Sequence, residues 1–252
     1  LGGKATSTFP ALRMRVIDIL EITSDETVAA YRADPTVASA EFDSVRTADT
    51  VPSDPGFSDQ WNLAQMHWET ARDSVTPSGR STIAILDTGI AASHPDLADA
   101  VTGGWSAFGT DPLVDVQGHG TAMAGIAAAR TGNDSGIAGT DYAGANLLSV
   151  QVLDSWGSGT DSDIIEGVVW AVDHHADVIL MSFSNPGYSP ALQAAIDYAW
   201  SSGAVLVAAT GNDGTSTPMY PAGDAHVMGV AGTDRDDARA SSSNYGADTF
   251  IA

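Results

Sequence analysis

An aspartate, a histidine and an asparagine stand in this sequence directly beside segments of regular structure. Asp87 ends the apolar run 82–86, His119 lies between two glycines ahead of a helix of small residues, and Asn212 follows the apolar run 204–210. A carboxylate can orient an imidazole, an imidazole can accept a proton from a hydroxyl, and an amide can donate to an oxyanion. These residue types would support acyl transfer if the fold brings them together.

The second part of the chain alternates between aliphatic runs and segments of helical composition. Aliphatic runs without polar alternation are typical of parallel strands covered on both faces. Their alternation with helices predicts a doubly wound α/β fold with a mostly parallel sheet, in which reactive groups collect at the carboxyl ends of the strands. The predicted strands are residues 82–86, 146–153, 177–182, 204–210 and 226–231, and the predicted helices are residues 122–129, 163–174 and 190–201.

Capping residues mark the ends of two of these helices. Asp161 or Ser162 is expected to begin the second helix. Ser189 is the expected N-cap of the third, since Pro190 follows it and Gly203 comes after the last helical residue.

Residues 1–49 carry weaker signals of a separate small domain. Alternating residues predict strands at 12–16 and 37–45, and the capping box 23–26 predicts a helix at 27–32. The order predicts a small α+β domain of β-α-β type. Residues 50–59, rich in Pro, Asp, Ser and Gly, are the predicted linker to a main domain at 60–252.

Composition excludes several classes of function. The chain has 252 residues, no cysteine and a net charge of −22, from 27 Asp and 5 Glu against 9 Arg and 1 Lys. Such a surface repels nucleic acid and anionic membranes, and without cysteine there is no thiolate nucleophile. No apolar run approaches the ~20 residues of a bilayer span. The aspartate excess fits both saline adaptation and calcium ligation.

Residues from about 58 onwards resemble the subtilisin-like serine peptidases, or subtilases. The Asp-Thr-Gly at 87–89 is similar to the family's aspartate motif, and the His-Pro-Asp-Leu at 94–97 follows it as is common in the family. The Gly-His-Gly-Thr at 118–121 resembles the histidine motif, and the Ala-Thr-Gly-Asn at 209–212 resembles the oxyanion segment. The resemblance implies His119 as general base, Asp87 as its orienting carboxylate and Asn212 as oxyanion donor.

The nucleophilic serine of this resemblance is missing from the sequence. The family carries it in Gly-Thr-Ser-Met-Ala at the start of a long helix, and that motif does not occur. Gly-Thr-Ser at 214–216 has the first three letters, but Pro218 follows closely and Ser216 is only four residues beyond Asn212. We therefore reject Ser216 and expect both ends to be truncated, with the nucleophile beyond Ala252.

The resemblance also implies substrate, metal and propeptide positions. The substrate positions are an edge for an extended peptide, where a flexible Ser/Gly turn is the alternative, and an altered wall of the first specificity pocket. A structural calcium is expected in the loop after the histidine helix, where a plain turn is the alternative, and no cofactor is expected for catalysis. Residues 1–49 resemble the latter part of an inhibitory propeptide. The positions concerned are Gly157, Ser158 and Gly159 for the edge, Ser182, Phe183 and Ser184 for the wall, and Asp96, Asn133 and Asp134 for calcium.

The function implied is endopeptide hydrolysis through an acyl-enzyme by a secreted parent protein in a saline environment. The 252 residues alone are expected to be inactive, and their partners are polypeptide substrates and the propeptide. A non-catalytic pseudopeptidase that binds peptide is the alternative, and a dinucleotide-binding domain is disfavoured because no Gly-x-Gly-x-x-Gly follows the first strand.

Three further polar residues are expected to have no part in the site. Asn244 is expected to be a loop residue remote from substrate, and His174 and His175 are expected to face solvent.

Overall fold

A computed structural model describes residues 3–19, 25–43 and 51–252 of the chain. The chain divides by its internal contacts into two compact units, Leu1–Asp49 and Thr50–Ala252.

The smaller unit contains a hairpin and a helix. Strands β1 (Lys4–Phe9) and β2 (Met14–Asp18) pair antiparallel, and helix α1 spans Asp25–Ala33. The helix predicted at 27–32 is confirmed, although Thr23 and Ser24 of its predicted capping box lie outside the described residues. Arg13, in the left-handed region at φ 54°, turns the chain between the strands.

The predicted β-α-β order of this unit is wrong, because both strands precede the helix. Residues 37–43 form no strand, and residues 44 and 45 lie outside the described part. The alternation there involves mainly small side chains, which provide little surface for a strand to bury. The sequence of β1, Lys-Ala-Thr-Ser-Thr-Phe, has no apolar run, and this exposed strand is defined by its pairing with β2.

Six parallel strands form the sheet of the larger unit. Their order is β4-β5-β3-β6-β7-β8, so β3 lies inside the sheet between β5 and β6. All five pairings are parallel, which confirms the predicted doubly wound, mostly parallel sheet. The strands are β3 (Thr82–Asp87), β4 (Val101–Ser106), β5 (Asn146–Gln151), β6 (Val178–Met181), β7 (Val205–Ala209) and β8 (Val227–Val230).

Helices cover both faces of this sheet. Alternate residues of β3 enter different cores: Leu86 packs with helices α5 and α6, whereas Ile85 packs with α4. Burial on both faces is the reason that the strand reads as a continuous aliphatic run. The helices of the larger unit are α2 (Trp61–Gln65), α3 (Trp68–Ser74), α4 (His119–Ala128), α5 (Asp161–Asp173) and α6 (Pro190–Ser201).

Two local predictions differ from the structure. Strand β4 (Val101–Ser106) was not expected, because its sequence Val-Thr-Gly-Gly-Trp-Ser contains two glycines and no aliphatic run. Gly104 is required there, since a Cβ would lie 2.7 Å from the carbonyl oxygen of Ser149 on β5. The N-cap of α5 is Thr160, one residue before the predicted Asp161, and it forms a capping box with Asp163. The predicted N-cap Ser189 of α6 is confirmed.

Within the described ranges, none of the helices is both long and apolar enough to cross a bilayer.

Asp224 is a buried carboxylate in the loop before β8. It is 5% exposed, and across the described residues neither of its oxygens has a hydrogen-bond partner. Burial raises the pKa of Asp224 to about 6, and the negative charges of Asp161 and Asp197 act in the same direction. Ionisation of this group therefore opposes folding near neutral pH.

We expect Asp224→Asn to raise the melting temperature by about 2–4 °C at pH 7 to 8, the shift that ~1 kcal/mol produces in a chain of this size. The raised pKa means that the folded state binds the proton more tightly than the unfolded state. The stabilising contribution of the protonated group is complete below about pH 4 and is lost as the pH rises through about 6. Thermal unfolding followed by circular dichroism should therefore show the gain shrinking as the pH falls towards 4.

The exposed Asp236 provides the control, because Asp236→Asn removes the same charge at a solvated site. An equal gain in both variants would assign the effect to net charge rather than to burial.

Candidate active site

Asp87 is the last residue of β3 and is fully buried at the carboxyl end of the strand. Oδ1 accepts a hydrogen bond of 2.8 Å from the backbone N–H of Thr88. Burial raises the pKa of the Asp87 carboxyl above its ordinary value, while hydrogen bonds from His119 and Thr88 act in the opposite direction. The carboxylate is thus fixed in position within the protein interior.

His119 is the first residue of α4 and lies directly against Asp87. Its Nδ1 is 2.8 Å from Oδ1 and 2.9 Å from Oδ2 of Asp87, and the His119 side chain is 40% exposed against 1% for Asp87. The carboxylate holds the proton on Nδ1, which leaves Nε2 as the basic nitrogen of the neutral ring. The pair therefore has the geometry of a general base and its orienting carboxylate.

The glycines on either side of His119 make this contact possible. Gly118, the N-cap of α4, has φ 95°, in the left-handed region that favours glycine. A Cβ at Gly120 would lie 2.2 Å from the carbonyl oxygen of Gly89 and 3.0 Å from Cβ of Asp87. Helix α4 can approach the end of β3 only because this position has no side chain.

Asp115 connects the loop before α4 to the end of β3, a role that the sequence analysis missed. Its Oδ1 accepts from Thr88 Oγ1 at 3.0 Å and from Gly118 N at 2.8 Å, and its Oδ2 accepts from Thr121 N at 2.9 Å and from Thr121 Oγ1 at 2.6 Å. Burial alone would raise the pKa of Asp115, but these hydrogen bonds together outweigh it and lower the pKa. The sequence signal that could have identified Asp115 is an acidic residue shortly before the start of a helix.

Asn212 lies beyond the carboxyl end of β7, on the same edge of the sheet as Asp87. The register pairs Leu86 with Met181 of β6, and Met181 with Ala208 of β7, so the three strands end at the same level. The Asn212 side chain is exposed. The structure therefore brings Asp87 and His119 into contact and places Asn212 two strands away along the same edge.

Comparison with known proteins shows the family to which the chain belongs. Residues 79–250 match the family model described as the subtilase family of peptidases. The chain belongs to the subtilase family. The chain is 43% identical to thermitase of Thermoactinomyces vulgaris over 204 residues, covering 80% of this chain and 72% of thermitase. It is 38% identical to a thermophilic serine proteinase of Bacillus sp. strain AK1, covering 91% of this chain and 58% of the proteinase.

Solved structures of proteases share the fold. A protease from Pseudoalteromonas arctica superimposes with a TM-score of 0.71 at 32% identity, covering 81% of this chain and 72% of that one. A psychrophilic subtilisin-like protease from an Antarctic Pseudoalteromonas gives a TM-score of 0.62 at 32% identity, covering 67% of this chain and 40% of that one. This subtilase chain thus spans between 40% and 72% of the length of these four relatives.

The predicted substrate edge is a tight loop beside the histidine. Gly157 N donates to Asp154 O at 2.9 Å and Asp154 N donates to Ser158 O at 2.8 Å, so residues 154–158 form a closed turn after β5. A Cβ at Gly157 would lie 3.5 Å from Nε2 of Gln117, and Gln117 accepts from His119 N at 2.8 Å. A Cβ at Gly159 would lie 2.0 Å from Val152 O, so the backbone there is packed against the strand end. The segment therefore adjoins the loop that carries His119.

The predicted pocket wall follows β6 directly. Ser182 comes after the last residue of the strand, and Phe183 is half-buried against the larger core. Ser184 lies beside the segment before Asn212, because a Cβ at Gly211 would be 3.0 Å from Ser184 Oγ. Ser184 is thus adjacent to the predicted oxyanion position, and much of the Phe183 side chain serves packing.

Asn244 is not the remote loop residue that the sequence suggests. It is fully buried, and its side chain bonds to the backbone on both sides of Asn212. The sequence Ser-Ser-Ser-Asn-Tyr has the composition of an exposed turn, which concealed this contact. A substitution at Asn244 is therefore expected to disturb the segment that carries Asn212.

The predicted calcium residues are only partly brought together. Asp96 is 2% exposed, and its Oδ1 accepts from Asn133 Nδ2 at 3.0 Å. Asp134 is exposed and its backbone N–H donates to Ser53 Oγ at 3.3 Å. Asp54, which the sequence analysis missed, is 4% exposed and accepts from Gly132 N at 2.7 Å and from Asn133 N at 3.3 Å.

Both oxygens of Asp96 accept N–H groups, from Asn133 Nδ2 and from Ile137 N at 2.8 Å, but the loop that supplies these donors also contains a buried oxygen without a partner, which suits a hard cation. Thr131 Oγ1 is buried and has no partner among the described residues, and a Cβ at Gly136 would lie 2.0 Å from Asp96 Oδ2, so the loop wraps closely around the carboxylate. Over the described ranges, no group of three or more His, Asp or Glu side chains converges as a metal site, so a cation here would require hydroxyl, amide or carbonyl oxygens as well. Calcium accepts such mixed oxygen ligands.

Ser216, His174 and His175 make no hydrogen bond to Asp87 or His119 in the described part of the chain. Ser216 is exposed in an irregular loop between β7 and β8, where no helix begins. His174 stacks on Trp170 with ring centroids 3.7 Å apart, and His175 has φ 60° at the end of α5.

Proposed function

We propose that this chain is part of the catalytic domain of a subtilisin-like serine endopeptidase that cleaves peptide bonds through an acyl-enzyme. The contact between His119 Nδ1 and the buried carboxylate of Asp87 carries the proposal. Nε2 of His119 would take the proton of a serine hydroxyl as that hydroxyl attacks the peptide carbonyl, and would return it to the leaving amine. Asn212 would donate to the oxygen that becomes negative, which stabilises the transition state more than the substrate.

The nucleophile in this proposal is a serine outside these 252 residues. The family's serine motif does not occur in the sequence, and the chain spans 58% of the length of the Bacillus sp. AK1 proteinase that it matches. The 252 residues alone should therefore bind peptides weakly and hydrolyse none.

Labelling with a serine-directed phosphonate tests this proposal. The complete protein should be labelled at one serine in the family motif and should hydrolyse casein, and His119→Ala should abolish both. The 252-residue chain should not be labelled. Labelling at Ser216 would contradict the rejection of that residue, and peptide binding without any labelling of the complete protein would favour the non-catalytic pseudopeptidase.

Residues 1–49 are proposed as the retained part of an inhibitory propeptide, and the complete protein as a secreted enzyme. A separate compact unit ahead of the catalytic domain supports the first point. The charge of −22 supports a role in salt-rich surroundings, where screening reduces repulsion among the carboxylates.

A structural calcium is proposed between Asp54, Asp96 and the loop 131–137. The two buried carboxylates would bind it together with oxygens of Thr131 and Asn133. The ion would stabilise the loop after α4 and would take no part in the proton transfers.

Removal of calcium should lower the melting temperature by about 5–10 °C, the shift expected between a hundredfold excess over Kd and none. Addition of EGTA followed by differential scanning calorimetry measures it. The experiment is run at constant high NaCl so that screening of the aspartates is the same in both samples. Asp54→Asn should reduce the EGTA effect, whereas Asp236→Asn, at an exposed position, should leave it unchanged. An identical melting temperature with and without EGTA would remove calcium from the proposal.

A further inference from the structure

Asn244 makes several side-chain hydrogen bonds near the site that the proposed mechanism does not use. It is fully buried, and its three side-chain hydrogen bonds all go to the backbone of the segment 210–215 that carries Asn212. Nδ2 donates to Thr210 O at 2.9 Å, while Oδ1 accepts from Asp213 N at 2.9 Å and from Thr215 N at 3.1 Å. The bonded positions lie on both sides of Asn212.

The chemistry of the contact requires an amide. One partner is a carbonyl oxygen and the other two are N–H groups, so the side chain must donate on one atom and accept on the other. Among side chains of this length asparagine does both at any pH, whereas aspartate does so only when protonated, and exchanging the oxygen and nitrogen of the amide would leave all three partners unsatisfied. The orientation of the side chain is therefore set by the loop that it binds.

Main-chain contacts hold the same segment against Asn244. The backbone N–H of Asn244 donates to Gly211 O at 3.0 Å. Gly211 has φ 102°, and a Cβ there would lie 2.5 Å from Asn244 Nδ2. The glycine before Asn212 is thus required both by its backbone conformation and by the closeness of Asn244.

We propose that Asn244 is a positioning residue, which holds the 210–215 segment so that the amide of Asn212 is fixed before charge develops on the substrate oxygen. The proposal rests on the proposed function of Asn212. An oxyanion donor is effective because it is already oriented when the transition state forms, and a misplacement of about 1 Å can cost about 10²-fold in rate. Asn212 is exposed, so the fixed backbone beneath it is what limits where its amide can lie.

A double-mutant cycle in the complete protein tests the proposal. We expect Asn244→Ala to lower kcat by about 10- to 100-fold with KM changed less than about twofold. In the Asn212→Leu background the same substitution should lower kcat by less than about twofold, since the amide that it positions is already absent. An equal loss of kcat in both backgrounds, or a rise in KM at constant kcat, would overturn the proposal.

Ser243→Ala is the matched control. Ser243 is the neighbouring residue and is 3% exposed, and its hydroxyl bonds to Gly232 N at 2.8 Å and to Asn244 O at 3.0 Å rather than to the 210–215 segment. It should lower the melting temperature and leave kcat within about twofold of the parent. A loss of kcat as large as that of Asn244→Ala would make both effects structural.

Two measurements, hydrogen exchange in the 252-residue chain and kcat in the complete protein, separate this proposal from the catalytic one. Hydrogen exchange at the amides of Asp213 and Thr215 should be about tenfold faster in Asn244→Ala, and unchanged exchange would overturn the positioning role even if Asn212 proves essential. Conversely, if Asn212→Leu alone leaves kcat intact, the oxyanion assignment fails whatever the exchange rates show.

The variant Asn244→Asp keeps the shape of the side chain, so any loss of stability comes from the changed hydrogen bonds rather than from lost packing. When protonated, the carboxyl can donate to Thr210 O and accept from the two N–H groups, as the amide does; when ionised, it places an oxygen against the carbonyl oxygen of Thr210. A carboxyl that must be protonated contributes stability at low pH and loses it as the pH rises through its raised pKa. Its deficit in melting temperature should therefore shrink between pH 8 and pH 5, and a deficit independent of pH would contradict the assigned donor and acceptors.

Discussion

Replacing Asp87 by asparagine should lower kcat of the complete protein by about 10⁴-fold, the loss established for this substitution in serine peptidases and carried over here. The geometry gives the reason. Thr88 N–H donates to Oδ1 at 2.8 Å, so the oxygen of the new amide would keep that place and its NH₂ group would take the place of Oδ2, 2.9 Å from His119 Nδ1. Nδ1 would then have to accept a hydrogen bond, which moves the ring proton to Nε2 and removes the base.

The tautomer can be measured directly in the 252-residue chain. Ring nitrogen chemical shifts of His119 should show the Nδ1–H form in the parent and the Nε2–H form in Asp87→Asn. Asp177→Asn is the control: Asp177 directly precedes β6, and its carboxylate accepts from Thr82 N at 2.8 Å, at the end of β3 opposite Asp87. It should leave both the tautomer and kcat unchanged. An unchanged tautomer in Asp87→Asn would show that Asp87 does not orient His119.

Replacing Asn212 by leucine should lower kcat by about 10²- to 10³-fold and barely change KM. This magnitude comes from a subtilisin, a member of the same family, and is carried over to this chain. Leucine keeps the volume of the side chain and removes the amide donor. The contact between Asp87 and His119 involves neither Asn212 nor its loop, so the base is untouched. Loss in kcat alone indicates an interaction made only in the transition state.

Asn146→Leu is the control for this substitution. Asn146 begins β5 and pairs in register with Thr82 at the start of β3, so it lies about 16 Å along the strands from the level of Asp87. It should leave kcat within about twofold of the parent. If Asn212→Leu raised KM alone, or had no effect, Asn212 would be a turn residue and the oxyanion donor would lie elsewhere.

The sequence predicted the parallel sheet because strands buried on both faces need aliphatic residues at every position. β3 and β7 meet this requirement and were located to within a residue or two. β4 did not, because it contains two glycines, of which Gly104 is required by the close approach of β5 and so depends on tertiary packing. The hairpin of the small unit was misassigned for a related reason. Its first strand is exposed along its whole length, so no hydrophobic periodicity marks it.

In the candidate site, the residues in motifs could be predicted from the sequence, whereas the residues that hold them in position could not. Asp87 and His119 stand in short motifs at element ends, where the chain itself signals their position. Asp115 bonds to the hydroxyl of Thr88 and Asn244 bonds to the backbone of Thr210, both far away in the chain, and the sequence around Asp115 or Asn244 does not report these distant partners. Polar residues in Ser-, Asp- and Asn-rich loops look alike until the fold shows which of them are buried.

The order of the strands determines when, during folding, the candidate site is assembled. β3 pairs on one side with β5 and on the other with β6, and β7 pairs with β6, so the edge shared by Asp87 and Asn212 does not exist until segments from most of the larger unit have come into register. Parallel pairings of this kind close long loops and form slowly. A partly folded copy therefore lacks an assembled site during synthesis, when neighbouring unfolded copies are themselves extended polypeptide. Under the proposed function, the topology protects the protein from digesting its own precursors before any inhibitor has to act.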